Sequence, residues 1–147
     1  DTGKIGIPDA ILKKRGALND EDWSFMRCHP RIGYEILSKS HAPVFQLAAE
    51  IAYCHHEKWD GSGYPRGLAG ETIPESARIV AIADVFDALS VRRSYKEPWP
   101  LQQVLENLQQ GAGAHFEPRL VALFRQILPH ILQIQRDWDA REQQPKI

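Results

Sequence analysis

Apolar residues recur at helical spacing along almost the whole 147-residue chain, and no stretch keeps the apolar–polar alternation of a half-buried strand for long. The expected architecture is all-α. A short helix is predicted from Pro8 through Ala10, Ile11 and Leu12, with Gly16 as its stop. A second opens at Asn19, where Asp20, Glu21 and Asp22 meet the positive end of the helix dipole, and carries Trp23, Phe25 and Met26 toward His29 and Pro30. Ile32, Ile36 and Leu37 predict a third helix over 31–37. Val44, Leu47, Ala48, Ile51 and Ala52 mark a longer one ending near His55 and His56. Further helices are expected over 74–89, over 101–108 with Gly111 as stop, and from Pro118 through Ile134, bent or broken at Pro129.

The helical period collapses between Trp59 and Pro74, where Gly61, Gly63, Gly67 and Gly70 stand with Pro65 in one long loop. Loops of that length without secondary structure are uncommon in compact domains, and ordered ones usually carry function. Residues 1–135 read as one domain and the polar residues 136–147 as a fraying tail. Composition agrees with a single core-forming domain, at 43% hydrophobic and 25% charged residues. A net charge of −1 argues against a broad basic face for long nucleic acid. No apolar run approaches the roughly 20 residues of a membrane span, and the first residues lack a secretion signal, so a cytoplasmic protein is expected. Cys28 and Cys54 are too few for a disulfide framework. Each precedes a histidine, but without paired Cys-x-x-Cys spacing they read as small buried residues.

The residues able to do chemistry are Asp1, His29, His55, His56 and Asp84. Imidazole and carboxylate without thiolate suit iron, manganese, nickel or zinc rather than calcium or copper(I). Asp84 lies in the apolar run 79–86 and is expected to face inward, where a buried charge needs a partner or a metal. Neighbours on a helix point about 100° apart, so His55 and His56 suit two adjacent metals better than one shared ion. Trp23, Trp59, Trp99 and Trp138 read as core or helix-packing residues, and Lys13, Lys14 and Arg15 as a solvated helix end. No Ser/His/Asp or Cys/His arrangement suggests a side-chain nucleophile.

Several segments together resemble the HD-GYP family. Asp1-Thr2-Gly3-Lys4-Ile5-Gly6-Ile7-Pro8-Asp9 is similar to its HD-x-G-K-I-G-I-P-D segment, starting at the Asp. His29-Pro30 with Gly33 resembles H-P-x-x-G, and the run from His55-His56-Glu57 to Gly63-Tyr64-Pro65 matches H-H-E-x-x-D-G-x-G-Y-P. Ala83-Asp84-Val85-Phe86-Asp87-Ala88-Leu89 resembles the A-D-x-F-D-A-L helix, and Arg93-Ser94-Tyr95-Lys96 the R-x-Y-K segment. Gly113-Ala114-His115-Phe116-Glu117-Pro118 is similar to G-x-H-F-D-P, with Glu117 in place of Asp.

This resemblance implies an HD-superfamily helical domain with a long GYP loop that hydrolyses cyclic di-GMP to linear pGpG, or on to GMP, in bacterial signalling. It implies two or three divalent metals, iron or manganese before nickel or zinc, on Asp1, His29, His55, His56 and Asp84. Lys4 would stand beside them toward a phosphate oxygen, with Asp1 and Lys4 as the catalytic pair. Tyr64, Arg93 and Lys96 would contact the cyclic dinucleotide, and His115 would have a structural role. A GGDEF-type diguanylate cyclase domain is implied as a partner of the GYP loop, an upstream regulatory domain is expected, and a homodimer is left open. The family places a histidine before Asp1 and further helices upstream. A chain lacking them is expected to be impaired, and the alternative reading is a module that binds the cyclic dinucleotide or a cyclase domain without turnover.

Overall fold

The computed structural model describes residues 1–91 and 97–142. A 3₁₀ turn over Thr2–Gly6 leads into α1 (Asp9–Leu12), α2 (Asp20–Met26), α3 (His29–Leu37) and α4 (Pro43–Cys54); after the loop come α5 (Glu75–Ser90), α6 (Leu101–Gln110) and α7 (Pro118–Glu142). Among the described residues there is no strand beyond one isolated bridge, Ala112 to Phe116, so the all-α expectation holds. Asn19 caps α2 reciprocally. Its side chain accepts from the Asp22 N–H at 2.8 Å, and the Asp22 carboxylate accepts from the Asn19 N–H at 3.0 Å. Lys14 pairs with that same Asp22, and Lys13 with Asp9, so this basic run is anchored. α3 starts two residues earlier than the apolar spacing suggests, because Pro30 sits in its first turn, where no N–H is needed.

Two features differ from expectation in the last helix. It runs through Pro129 without a break, since Pro129 and Arg125 are both exposed and water can take the carbonyl that the missing N–H leaves unpaired. It also continues past residue 135 to Glu142. Ile131, Ile134 and Trp138 line a groove with Phe86 and Val91 at the end of α5, and Gln133 bonds Asp137 along the outer face, so the polar stretch has something to lie on. Of the tryptophans expected to be core or helix-packing residues, Trp23, Trp99 and Trp138 lie outside the core, and Trp138, 60% exposed, packs in that groove between helices.

The main core lies between α5, α6 and α7, where Ile82, Phe86, Val104, Leu108, Leu120 and Val121 are buried together. Each such side chain contributes about 1.5–3 kcal/mol through burial. α3 and α4 pack side by side and meet α5 along α4. A smaller cluster of Cys54, Ile73 and Ala77 seals that junction and accounts for the buried cysteine. The 3₁₀ turn docks on α3 through glycine. A Cβ on Gly3 would lie 1.9 Å from the His29 carbonyl oxygen, and one on Gly33 would lie 3.2 Å from both Gly3 N and Ala52 Cβ. These contacts bring the first turn, α3 and α4 together at one point, and the chemically interesting residues stand there.

Candidate metal centre

His29 opens α3, His55 caps the end of α4, and His56 follows in the turn. His29 and His55 are nearly fully buried. The Nδ1 of His29 meets the Met26 carbonyl at 2.7 Å, and that of His55 meets the Ala52 and Ile51 carbonyls at 3.0 and 3.2 Å. A carbonyl only accepts, so both rings carry their proton on Nδ1 and present bare lone pairs at Nε2. Those two Nε2 atoms face each other across 3.3 Å. With no proton between them the contact is repulsive. Burial pushes both imidazoles below their usual pKa, which disfavours supplying that proton.

His56 closes the group, with its Nε2 3.2 Å from that of His29. Burial, then the two neighbouring imidazoles, lowers its pKa to about 3. The ligand-capable nitrogens of the three rings lie within 4.8 Å of one another. Asp1 Oδ1 joins them, 3.5 Å from His29 Nε2 and 3.8 Å from His55 Nε2. Neutral imidazole lone pairs and a carboxylate converging on one point are the donor set of a divalent metal, and the carbonyl bonds at Nδ1 are the orienting contacts such ligands require. The residues present therefore fit the metal that the sequence resemblance implies.

Adjacent His55 and His56 converge instead of splaying, with ring centroids 4.1 Å apart. The 100° argument does not apply here, because α4 ends at Cys54 and the two histidines fall on its cap and the following turn. Asp84 is also corrected: it is solvent-exposed, not inward-facing. The buried stripe of α5 runs through Ala77, Ala81, Ile82 and Phe86, and Asp84 falls off it. It nonetheless lines a cavity of about 280 Å³ with Asp1, Thr2, Leu37, Ile51 and His55, and its charge acts on His55. Lys4 donates from Nζ to Asp1 Oδ2 at 2.6 Å, which leaves Oδ1 turned to the imidazoles. Both cysteines lie outside the cluster, Cys28 bonding the Ser24 carbonyl.

Tyr64 lies at the mouth, its ring stacked on His56 at 4.9 Å and 24°, with the Arg27 guanidinium carbon 5.5 Å from the ring centre. Burial raises the pKa of its phenol. Arg27 was not singled out by sequence; its position two residues before His29 is the signal that could have found it. Glu57 was missed as well. It is 2% exposed, and its carboxylate accepts from the backbone N–H groups of Arg66 and Leu68. A charged residue between a histidine pair and a glycine-rich loop was the available clue. His115 stacks on Phe116, and its backbone carbonyl accepts from the Trp59 N–H. Arg93 and Lys96 lie outside the described residues.

Three imidazoles and a carboxylate thus meet in a helical domain, and comparisons with known proteins give its family. The family model described as HD domain matches residues 1–120, and the chain belongs to this family, in its HD-GYP branch. It is 55% identical over 123 residues to the 3'3'-cGAMP-specific phosphodiesterase 2 of Vibrio cholerae, an alignment covering 84% of this chain and 24% of that protein. It is 48% identical to the cyclic di-GMP phosphodiesterase of Thermotoga maritima, over 92% of this chain and 37% of that protein. With the cyclic di-GMP phosphodiesterase response regulator RpfG of Xanthomonas campestris pv. campestris it shares 54% identity, over 85% of this chain and 33% of that protein. The chain thus spans between 24% and 37% of the length of these relatives. In fold it resembles the crystal structure of a cyclic GMP-AMP specific phosphodiesterase of V. cholerae, with a TM-score of 0.60 and 19% identity, over 88% of this chain and 33% of that one. No helix among the described residues is long and apolar enough to cross a membrane.

Proposed function

We propose that this chain is the metal-dependent catalytic portion of a phosphodiesterase that opens cyclic di-GMP to linear pGpG. The observation that carries the reading is the face-to-face pair of Nε2 lone pairs on His29 and His55, joined by His56 and Asp1 in one cluster. Asp1, His29, His55 and His56 would hold the metal, with Asp84 reaching it from the far wall of the cavity. The donor types favour iron or manganese, with nickel and zinc as alternatives. A divalent ion held there supplies positive charge for the oxygens of an in-line displacement at phosphorus.

The chain's own residues prepare that site. Met26, Ile51 and Ala52 carbonyls keep the imidazole protons on Nδ1, and burial keeps the rings neutral at physiological pH. Lys4 orients Asp1 and brings positive charge near an incoming phosphate. Tyr64 offers an aromatic face to a base and Arg27 a cation beside it, while Arg93 and Lys96 supply further charge for the two phosphates. In this reading the exposed glycine-rich loop is also the docking face for a GGDEF-type cyclase domain, the messenger places the protein in the cytoplasm, and the other two thirds of the relatives' length correspond to regulatory segments. The test is metal analysis and cyclic di-GMP hydrolysis by the full-length protein that contains this chain, beside its His29→Ala variant. Metal at the site with turnover lost in the variant is expected. A metal-loaded protein that binds cyclic di-GMP but never cleaves it would overturn the catalytic reading in favour of a binding module.

A further inference from the structure

We propose that Glu57 is a positioning residue, whose buried carboxylate fastens the glycine-rich loop so that Tyr64 lies flat on His56 at the mouth of the metal centre. The effect on substrate rests on the phosphodiesterase reading; the effect on the loop does not. Both oxygens of the carboxylate are committed to the loop: Oε1 accepts from the Arg66 N–H at 2.8 Å and Oε2 from the Leu68 N–H at 2.9 Å. At 2% exposure the charge has been removed from water, so these bonds replace its hydration and are correspondingly hard to give up.

The segment between them is tied to the same short stretch of backbone. The Tyr64 N–H donates to the His56 carbonyl at 3.2 Å, and a Cβ on Gly63 would lie 2.5 Å from Glu57 Cα and 2.3 Å from Lys58 N. Only glycine lets the chain pass so close. Tyr64 is thus held from its own N–H on one side and, two and four residues later, by Glu57 on the other. These attachments fix the backbone on both sides of Tyr64, and from that backbone its ring stacks on His56. The carboxylate touches neither the imidazole cluster nor the cavity lined by Asp1, His55 and Asp84, so it acts through Tyr64.

A carboxamide tests this with little change in volume, because Glu57→Gln replaces one acceptor oxygen by an NH₂ that faces a backbone N–H. In the full-length protein, amide exchange at Arg66 and Leu68 should quicken at least about tenfold, the scale of one lost bond to a charged acceptor. Metal stoichiometry should stay unchanged while KM for cyclic di-GMP rises about tenfold or more, as in Tyr64→Ala. The decisive measurement is the double variant: if Glu57 works through Tyr64, E57Q with Y64A should be no worse in KM than Y64A alone. Effects that multiply, or an unchanged KM in E57Q, would overturn the proposal and leave Glu57 a residue of fold stability. If E57Q does not fold, Glu57→Asp, one methylene too short to reach both N–H groups, takes its place with the same expectation. Should the parent protein not turn over cyclic di-GMP, the functional reading fails separately. The positioning role is then decided by exchange and by the ring-current shift of the His56 protons, whose persistence in E57Q would refute it.

Discussion

Gly3→Ala provides a sharp test of how the metal centre is assembled. The added Cβ would stand 1.9 Å from the His29 carbonyl oxygen and 2.5 Å from Gly33 N. Both are backbone atoms in the first turns of α3, so no side-chain rotation relieves the overlap. Backing the Cβ off to about 3.0 Å, the closest approach such atoms tolerate, moves the first turn by about 1.1 Å. Two donors on one ion at 2.0–2.2 Å each can be no more than about 4.4 Å apart. Asp1 Oδ1 now lies 3.5 Å from His29 Nε2, within that limit. A retreat of that size directed away from His29 would place it at about 4.6 Å, outside that limit. The overpacking itself should cost about 1–3 kcal/mol, seen as a melting temperature lowered by roughly 3–10 °C for a domain of this size. Metal affinity should fall by roughly ten- to a hundredfold, as when a ligand-orienting contact is lost. Thermal denaturation of the metal-free protein reads the first effect and competition with a chromogenic chelator reads the second. Gly16→Ala is the control, since nothing lies within 4 Å of its Cβ, and it should be neutral or slightly stabilising. If G3A melts and binds metal like the parent, the first turn is not seated on α3 and Asp1 is not a ligand.

The three clustered imidazoles, two buried and one half-buried, make the metal-free protein acid-sensitive. Their folded pKa values lie below the unfolded 6.5, so the unfolded state binds more protons in acid; stability is intact above about pH 6.5 and falls progressively as pH drops toward about 3, the value for His56. Denaturation midpoints that stay flat from pH 7.5 to 4.5 would contradict this burial. Pro129→Ala restores an N–H to the middle of α7 and should stabilise the protein by about 1–3 kcal/mol, measured by urea unfolding; destabilisation would mean that Pro129 sits at a real break. Arg93→Ala and Lys96→Ala should each weaken cyclic di-GMP binding by about 1.5–3 kcal/mol in a calorimetric titration while leaving metal content unchanged, and equal affinities would remove them from the ligand site.

The helical class, the order of the helices, the long loop and the histidines that gather at the candidate centre were legible without coordinates, because each depends on short-range information. Apolar spacing reports a helix face, Asn19 with Asp22 and Pro30 report helix starts, and the His-His-Glu and Gly-Tyr-Pro strings carry their family with them. Asp84 was legible as a candidate ligand but not in its exposure, since a run of apolar letters does not say which third of α5 meets the core. The convergence of His55 and His56 depended on α4 ending one residue before them, a boundary that local pattern places only approximately. The roles of Glu57 and Arg27 were invisible for a stronger reason. Glu57 becomes a buried anchor only when Arg66 and Leu68 fold back over it, and Arg27 meets Tyr64 across 37 positions of chain. Sequence alone singled out the residues proposed to hold a metal. The tertiary packing at Gly3 and Gly33 decided that two lone pairs would face each other with a carboxylate beside them, because only the docking of the first turn, α3 and α4 fixes distances between groups that no local pattern relates.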